Sequence, residues 1–233
     1  MTIKDMHYDF KKKLNKVDSQ QNRNLLVPEI DWAINEAHEL FVKMIAQPRM
    51  KSYLGFELNQ RNIDDIRTIV VKSNCLNVVN NTASLPGNYW HYVKGHVEMS
   101  KGPCKNIKGK FHLKQHDDEF EESPFDNSNF EWRNVNGVFY EGGIQVHTDG
   151  TFTVDKLCID YIRKLSYIHN AEDFRPGGYR LPSGTLLTGS VNSELPEHTH
   201  REIVDIAVAI VTGEIQGGDY EIKMNKLKFN QNT

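Results

Sequence analysis

The stretch Ser193–Ile215, SELPEHTHREIVDIAVAIVTGEI, decides how the chain is read. It places His198, His200 and Glu202 two residues apart, so it is either a metal-binding cluster or the polar start of a packing helix. On a strand, period two would bring all three onto one face. On a helix, at about 100° per residue, His198 and Glu202 lie within roughly 40° while His200 points away. A zinc protease helix carries its histidines at i and i+4. The helix is favoured: Pro196 and Glu197 suit a start, Gly213 a stop, and Ala207 and Ala209 are poor strand formers. His198, Arg201, Glu202, Asp205 and Thr212 then form one narrow polar stripe. Ile203, Val204, Ile206, Ala207, Val208, Ile210 and Val211 cover most of the remaining girth. A helix apolar over so much of its circumference is buried on more than one side.

Working outward, the clearest second helix is VPEIDWAINEAHELFVKMIAQP, Val27–Pro48. Ile30, Ala33, Ile34, Ala37, Phe41, Met44 and Ile45 share one face at i, i+3, i+4, i+7 spacing, the pattern of core. Pro28 sits in a tolerant first turn, Glu29 and Asp31 suit the positive N-terminal end, and Pro48 marks the stop. Residues 1–26 read as a basic amphipathic arm whose narrow stripe (Ile3, Met6, Phe10, Leu14, Val17) docks on a neighbouring surface. NQRNIDDIRTIVV reads as a helical turn running into a strand.

From Ser84 the pattern changes to β. In SLPGNYWHYVKGHVEMS, Tyr89, His91 and Val93 alternate with Trp90, Tyr92 and Lys94 after a Pro-Gly turn. WRNVNGVFY, GIQVHTDGTFTV and KLCIDYIRKLSYI continue the sheet, with Leu157, Ile159 and Tyr161 on one side. Asp149-Gly150 between apolar runs is a hairpin signal. YEIKMNKLKF near the end alternates as an extended tail would.

Residues 101–131 stand apart. KGPCKNIKGKFHLK holds five lysines and no acid, and HDDEFEESPFDNSNFE seven acids and no Lys or Arg. As an exposed inserted hairpin, Lys105, Lys108 and Lys110 on one arm and Asp117, Asp118, Glu119, Glu121 and Glu122 on the other could pair head to tail between copies in a ring. Salt would weaken such a contact.

The chain has 233 residues, 38% hydrophobic and 25% charged, with a formal net charge of −3. That suits one domain and gives no basic excess for coating nucleic acid. Cys75, Cys104 and Cys158 are odd in number and distant, with no CxxC, so neither a disulfide framework nor a zinc ribbon is expected, and the compartment reads as reducing. The polar start is not a signal peptide, and no run approaches the roughly 20 apolar residues of a membrane span. No phosphate-binding GxxxxGK[ST], GxGxxG, GxSxG or EF-hand pattern occurs. No catalytic residue and no cofactor is expected.

The order of segments adds one further expectation. The Lys-rich arm, DWAINEAHELFVKMIAQPR, GFELNQRNIDDIRTIVV, LPGNYWHYVKGHVEMS, IDYIRKLSYI and ELPEHTHREIVDIAVAIVTGEI together resemble the ring-forming head–tail connector or tail adaptor proteins of tailed phages, in particular crAss-like and related short-tailed phages. Residues 101–131 have no counterpart in it.

The resemblance implies an α+β fold, with N-terminal helices and a C-terminal buried helix packed on an antiparallel β-sheet or sandwich. One domain would span 27–233 after the arm, with the charged hairpin inserted at about 101–131. It also implies a non-enzymatic homo-oligomeric ring in the virion, assembled in the bacterial host cytoplasm. The partners would be the portal protein and neighbouring rings, with double-stranded DNA passing through and no membrane. Near-neutral charge suits a conduit wall along which DNA must slide. Phe10, Leu14, Trp32, Leu40 and the charged residues of the hairpin are the expected contacts. Two other readings compete: a metal-dependent tail hydrolase using His198, His200 and Glu202, and a DNA-binding packaging accessory using Lys11, Lys12, Lys13 and Lys16.

Overall fold

A computed structural model describes residues 1–14, 25–46, 64–116 and 127–214. The fold is α+β, and the chain divides into two compact units, Met1–Thr68 with Leu165–Thr233, and Ile69–Lys164. The sequence alone predicts a terminal arm, 1–26, followed by one domain, 27–233. The first residues form a helix of the first unit, which also holds a short two-stranded sheet (Tyr179–Arg180 with Leu186–Leu187), and the eight-stranded sheet forms the second.

Among the described residues, the first unit holds the helices α1 (Ile3–Leu14), α2 (Val27–Ala46) and α3 (His200–Glu214). Both α1 and α2 pack against α3. That arrangement contributes to the burial of Ile203, Val204, Ile206, Ala207, Val208 and Val211, so helices meet part of the wide apolar girth of α3. The stripe of α1 is buried as its spacing demands: Ile3, Met6 and Phe10 are at most 1% exposed and Leu14 is 5% exposed. Phe10 and Leu14 are therefore core of their own chain, which corrects their expected role as contacts to another subunit.

Asp31 shows what orients α2. It has no solvent exposure, so its place is not that of a solvated charge at a helix start. Its carboxylate lies 2.7 Å from His7 Nε2, accepts 2.7 Å from the Tyr179 hydroxyl, and accepts from the Asn170 backbone N–H at 3.1 Å on each oxygen. One turn on, Asn35 donates to the carbonyl oxygens of Asp31 and Ile168 and accepts from the Ile168 N–H. Two residues of α2, four apart and on one face, thus bind the backbone of 168–170. A buried carboxylate is tolerated when its lone pairs are filled in this way.

The second unit is a closed barrel. Its strands are β1 (Val70–Lys72), β2 (Leu76–Val79), β3 (Thr82–Ala83), β4 (Tyr89–Lys101), β5 (Cys104–Leu113), β6 (Asn134–Tyr140), β7 (Gly143–His147) and β8 (Thr153–Arg163). They run in the order β1-β8-β2-β3-β7-β6-β5-β4, and β4 also pairs with β8 and closes the ring. Ser73 exchanges hydrogen bonds with Ile159 between β1 and β2, so those two line one edge of β8 while β4 lines the other. All pairings are antiparallel except β5 with β6. Closure removes free edges, which an open sheet or sandwich would keep. Val97, Met99, Phe111, Ile144, Leu157, Ile159 and Tyr161 fill the interior. Tyr89 and Tyr92 stand among Phe111, Phe139 and Tyr161, and burial pushes both phenols up to about 12.

Two turn expectations change with this topology. Asp149 does accept from Thr151 in a tight turn, but β7 and β8 do not pair, because the β2–β3 hairpin lies between them. Two-residue hairpins are instead at Asn80-Asn81, both with positive φ as a primed turn requires, at Gly102-Pro103 and at Glu141-Gly142. The lysine-rich run is likewise no inserted hairpin. Residues 104–113 are β5, bonded to β4 on one side and β6 on the other. The extended tail falls outside the described residues, as do Val17, Lys16 and Asp117–Glu122.

The Asp31 cluster yields a stability prediction. Asp31→Ala removes the acceptor shared by His7, Tyr179 and Asn170 and should cost about 3–5 kcal/mol. Chemical denaturation checks it, and a loss below about 1 kcal/mol would mean the network contributes little.

Candidate assembly surface

Because Asp31 and Asn35 face inward, the opposite face of α2 is fixed by geometry. At about 100° per residue, Trp32, Glu36 and Leu40 fall roughly 100–180° around the axis from Asp31. Trp32 is 56% exposed and Leu40 40% exposed, as the sequence predicts for residues flanking the core stripe. Beside them lies a cleft of about 360 Å³ bordered by Trp32, Glu36, His38, Glu39, Leu165 and Tyr167. An indole this open on an otherwise core-forming helix is the kind of apolar anchor that interfaces use.

The remaining sequence-derived contacts are only partly brought together. Lys105, Lys108 and Lys110 are exposed on β5, with Lys108 opposite Glu98 and Lys110 opposite His96 on β4. Their acidic counterparts, Asp117, Asp118, Glu119, Glu121 and Glu122, lie outside the described residues. Of the α1 lysines, Lys11 and Lys12 are exposed, while Lys13 is paired with Asp9 at 2.7 Å and Asp205 at 3.0 Å. Trp132, 83% exposed, was missed by sequence reading. It sits in the turn before β6, and its exposure comes from the turn that Asn129 Oδ1 holds by accepting from the Glu131 and Trp132 N–H groups. No periodicity marks such a residue.

The histidines of the opening stretch go to separate partners. A 3₁₀ turn, Glu197–Thr199, precedes α3, which begins at His200. His198 Nε2 lies 2.7 Å from Asp65 Oδ1. His200 is buried, with Nε2 2.9 Å from the Leu195 carbonyl oxygen and Nδ1 3.1 Å from that of Met1. The two imidazoles therefore tie other segments to the start of α3 and do not converge on one point. His38, on the cleft side of α2, lies 3.3 Å from Ser193 Oγ. Burial, with the neighbouring His200 adding to it, pulls its pKa down to about 4.

The sulfur chemistry departs from expectation. Cys75 and Cys158, 83 residues apart, form a disulfide, because the antiparallel register that sets Leu76 opposite Leu157 sets Cys75 opposite Cys158. A bond closing that span would restrict the unfolded chain by about 4–5 kcal/mol on the chain-entropy account. Cys104 is free and exposed. Sequence spacing could not reveal the pair, since only strand register makes the two neighbours.

In comparisons with known proteins, no family model and no curated protein matches the chain. Among the described residues no helix is long and apolar enough to cross a membrane.

The lowered pKa of His38 predicts how this unit responds to acid. The unfolded chain takes a proton near pH 6.5 while the folded one refuses it until about pH 4. The unfolded state thus binds more protons between those values, and stability falls as pH drops through that window and levels off below it. The full effect is of order 3 kcal/mol. His38→Gln should flatten the pH dependence of urea denaturation between pH 7 and 4.5 relative to the wild type. Parallel curves would contradict it.

Proposed function

We propose that this chain is a non-enzymatic structural subunit that assembles as a ring in the head-to-tail connector or tail of a short-tailed bacteriophage, as part of the DNA conduit. The observation that carries the assembly role is the outer face of α2, where Trp32 and Leu40 stay exposed beside a cleft on a helix whose other face is core. The phage setting rests on the order of sequence segments. Exposed lysines on β5 offer a charged second contact to a neighbouring copy or ring. The formal net charge of −3 supports a wall that DNA passes without being held.

In this reading the α2 face meets a different surface of the next copy. A heterologous contact of that kind closes into a ring when the rotation between copies divides a full turn. The portal protein and adjacent rings would cover the ring's two ends.

The predicted behaviour is a defined high-order oligomer, alone or on purified portal, seen by sedimentation velocity. Trp32→Glu with Leu40→Glu should abolish it while changing monomer stability by no more than about 0.5 kcal/mol per site, as for exposed positions. A wild-type chain that stays monomeric with portal and neighbouring tail proteins, and is missing from purified virions by mass spectrometry, would sink the proposal.

A further inference from the structure

Register places four side chains in one row across the outside of the barrel. On β4 and β8, Val97 and Leu157 face the core as cross-strand partners, so the preceding pair, His96 opposite Cys158, faces outward. Lys110 of β5 is opposite His96 on the far side of β4, and Cys75 is opposite Cys158 on the far side of β8. Within this row the two Sγ atoms and a ring nitrogen of His96 lie within 4.8 Å of one another. Cys75 is exposed, His96 half-buried and Cys158 buried, so the cluster opens to solvent on one side. The rows above and below are occupied by ion pairs, Lys94 with Asp160 at 3.5 Å and Lys156 with Glu98 at 3.8 Å.

We propose that, once Cys75 and Cys158 are reduced, these two cysteines and His96 form a zinc site that fastens β4, β8 and the start of β2 together. Two thiolates and an imidazole are a ligand set that zinc prefers, at about 2.3 Å from sulfur and about 2.0 Å from nitrogen. A tetrahedral ion at those lengths needs its ligand atoms roughly 3.5–3.8 Å apart. His96 must close by an ångström or so, and the sulfurs, bonded in the oxidised form, must separate. Side-chain rotation supplies both movements without breaking the ladder. The solvent side leaves the fourth position to water.

Disulfide and metal are alternative states of the same residues. Reduction by a dithiol converts the disulfide to two thiols and the reductant to its own cyclic disulfide. Zinc then displaces the two thiol protons, and the site carries two thiolate charges against the ion's two positive charges. Each state crosslinks at strand β8, whose two edges close the barrel, but only the metal reaches β4.

The test uses the full chain, reduced with a phosphine, exposed to zinc and freed of excess by gel filtration. We expect one zinc per chain in the reduced protein and none in the oxidised protein. Cobalt in place of zinc should give thiolate charge-transfer absorption of an intensity that two sulfur ligands produce, a reading on the wild type that needs no variant to fold. Cys75→Ser and Cys158→Ser should each lose that stoichiometry. His96→Ala should weaken zinc binding about tenfold or more, of the size seen when metal-site support is removed. Cys104→Ser should leave binding intact. Reduced wild type that retains no zinc, cobalt without thiolate absorption, unchanged binding in Cys75→Ser with Cys158→Ser, or unchanged affinity in His96→Ala would each overturn the assignment.

Discussion

The carboxylate of Asp31, buried to zero exposure, is the constraint on which the helical unit depends. A carboxylate in that position is costly unless its oxygens are filled, and here His7, Tyr179 and the Asn170 N–H fill them. Those three groups come from α1, from the strand Tyr179–Arg180 and from the segment leaving Ile168, so one side chain ties together parts of the chain far apart in sequence. The cost of burial also appears at Tyr179, whose phenol is pushed far up by burial and by the adjacent carboxylate. With Asp31 and Asn35 both committed inward, α2 has no freedom to rotate about its axis. Trp32 and Leu40 are turned to solvent as a consequence.

In the barrel the equivalent constraint is hydrogen bonding along both edges of β8. Leu157, Ile159 and Tyr161 point inward from a strand that cannot slip, because a one-residue shift would turn every one of them outward. The same fixed register aligns His96, Cys158 and Cys75 on the outer face. Close backbone approach sets its own demands elsewhere. Gly143, at φ 139, has the Ala83 carbonyl oxygen 2.1 Å from where a Cβ would stand, so no other residue fits where β7 meets β3.

Much of this was legible in the sequence, and the limits have physical causes. The 3.6-residue spacing of Ile30, Ala33, Ile34, Ala37 and Phe41 located α2, and the apolar girth of Ile203–Val211 announced a helix covered on several sides. Alternation of Leu157, Ile159 and Tyr161 gave the inward face of β8. What covers α3, and whether the sheet closes, depend on which elements meet, and periodicity is silent on that. Asp31 reads locally as a helix-start charge because its partners are 24 to 148 residues away. Phe10 and Leu14 look equally suited to any apolar surface, and the nearest one was in their own chain. The cysteine pair escaped for the same reason, since 83 residues separate neighbours that only strand register brings together. Trp32 and Leu40 were readable because exposure on a helix follows from angle alone.

The outer face of α2 is therefore a necessary product of how α2 is anchored, and its use as a contact between copies is the central claim. Electron microscopy of the purified chain assembled on portal tests it most directly. Closed rings of one copy number are expected, with Trp32 and Leu40 covered by the adjacent subunit. Rings in which that face stays open to solvent, or no ring at all, would contradict it.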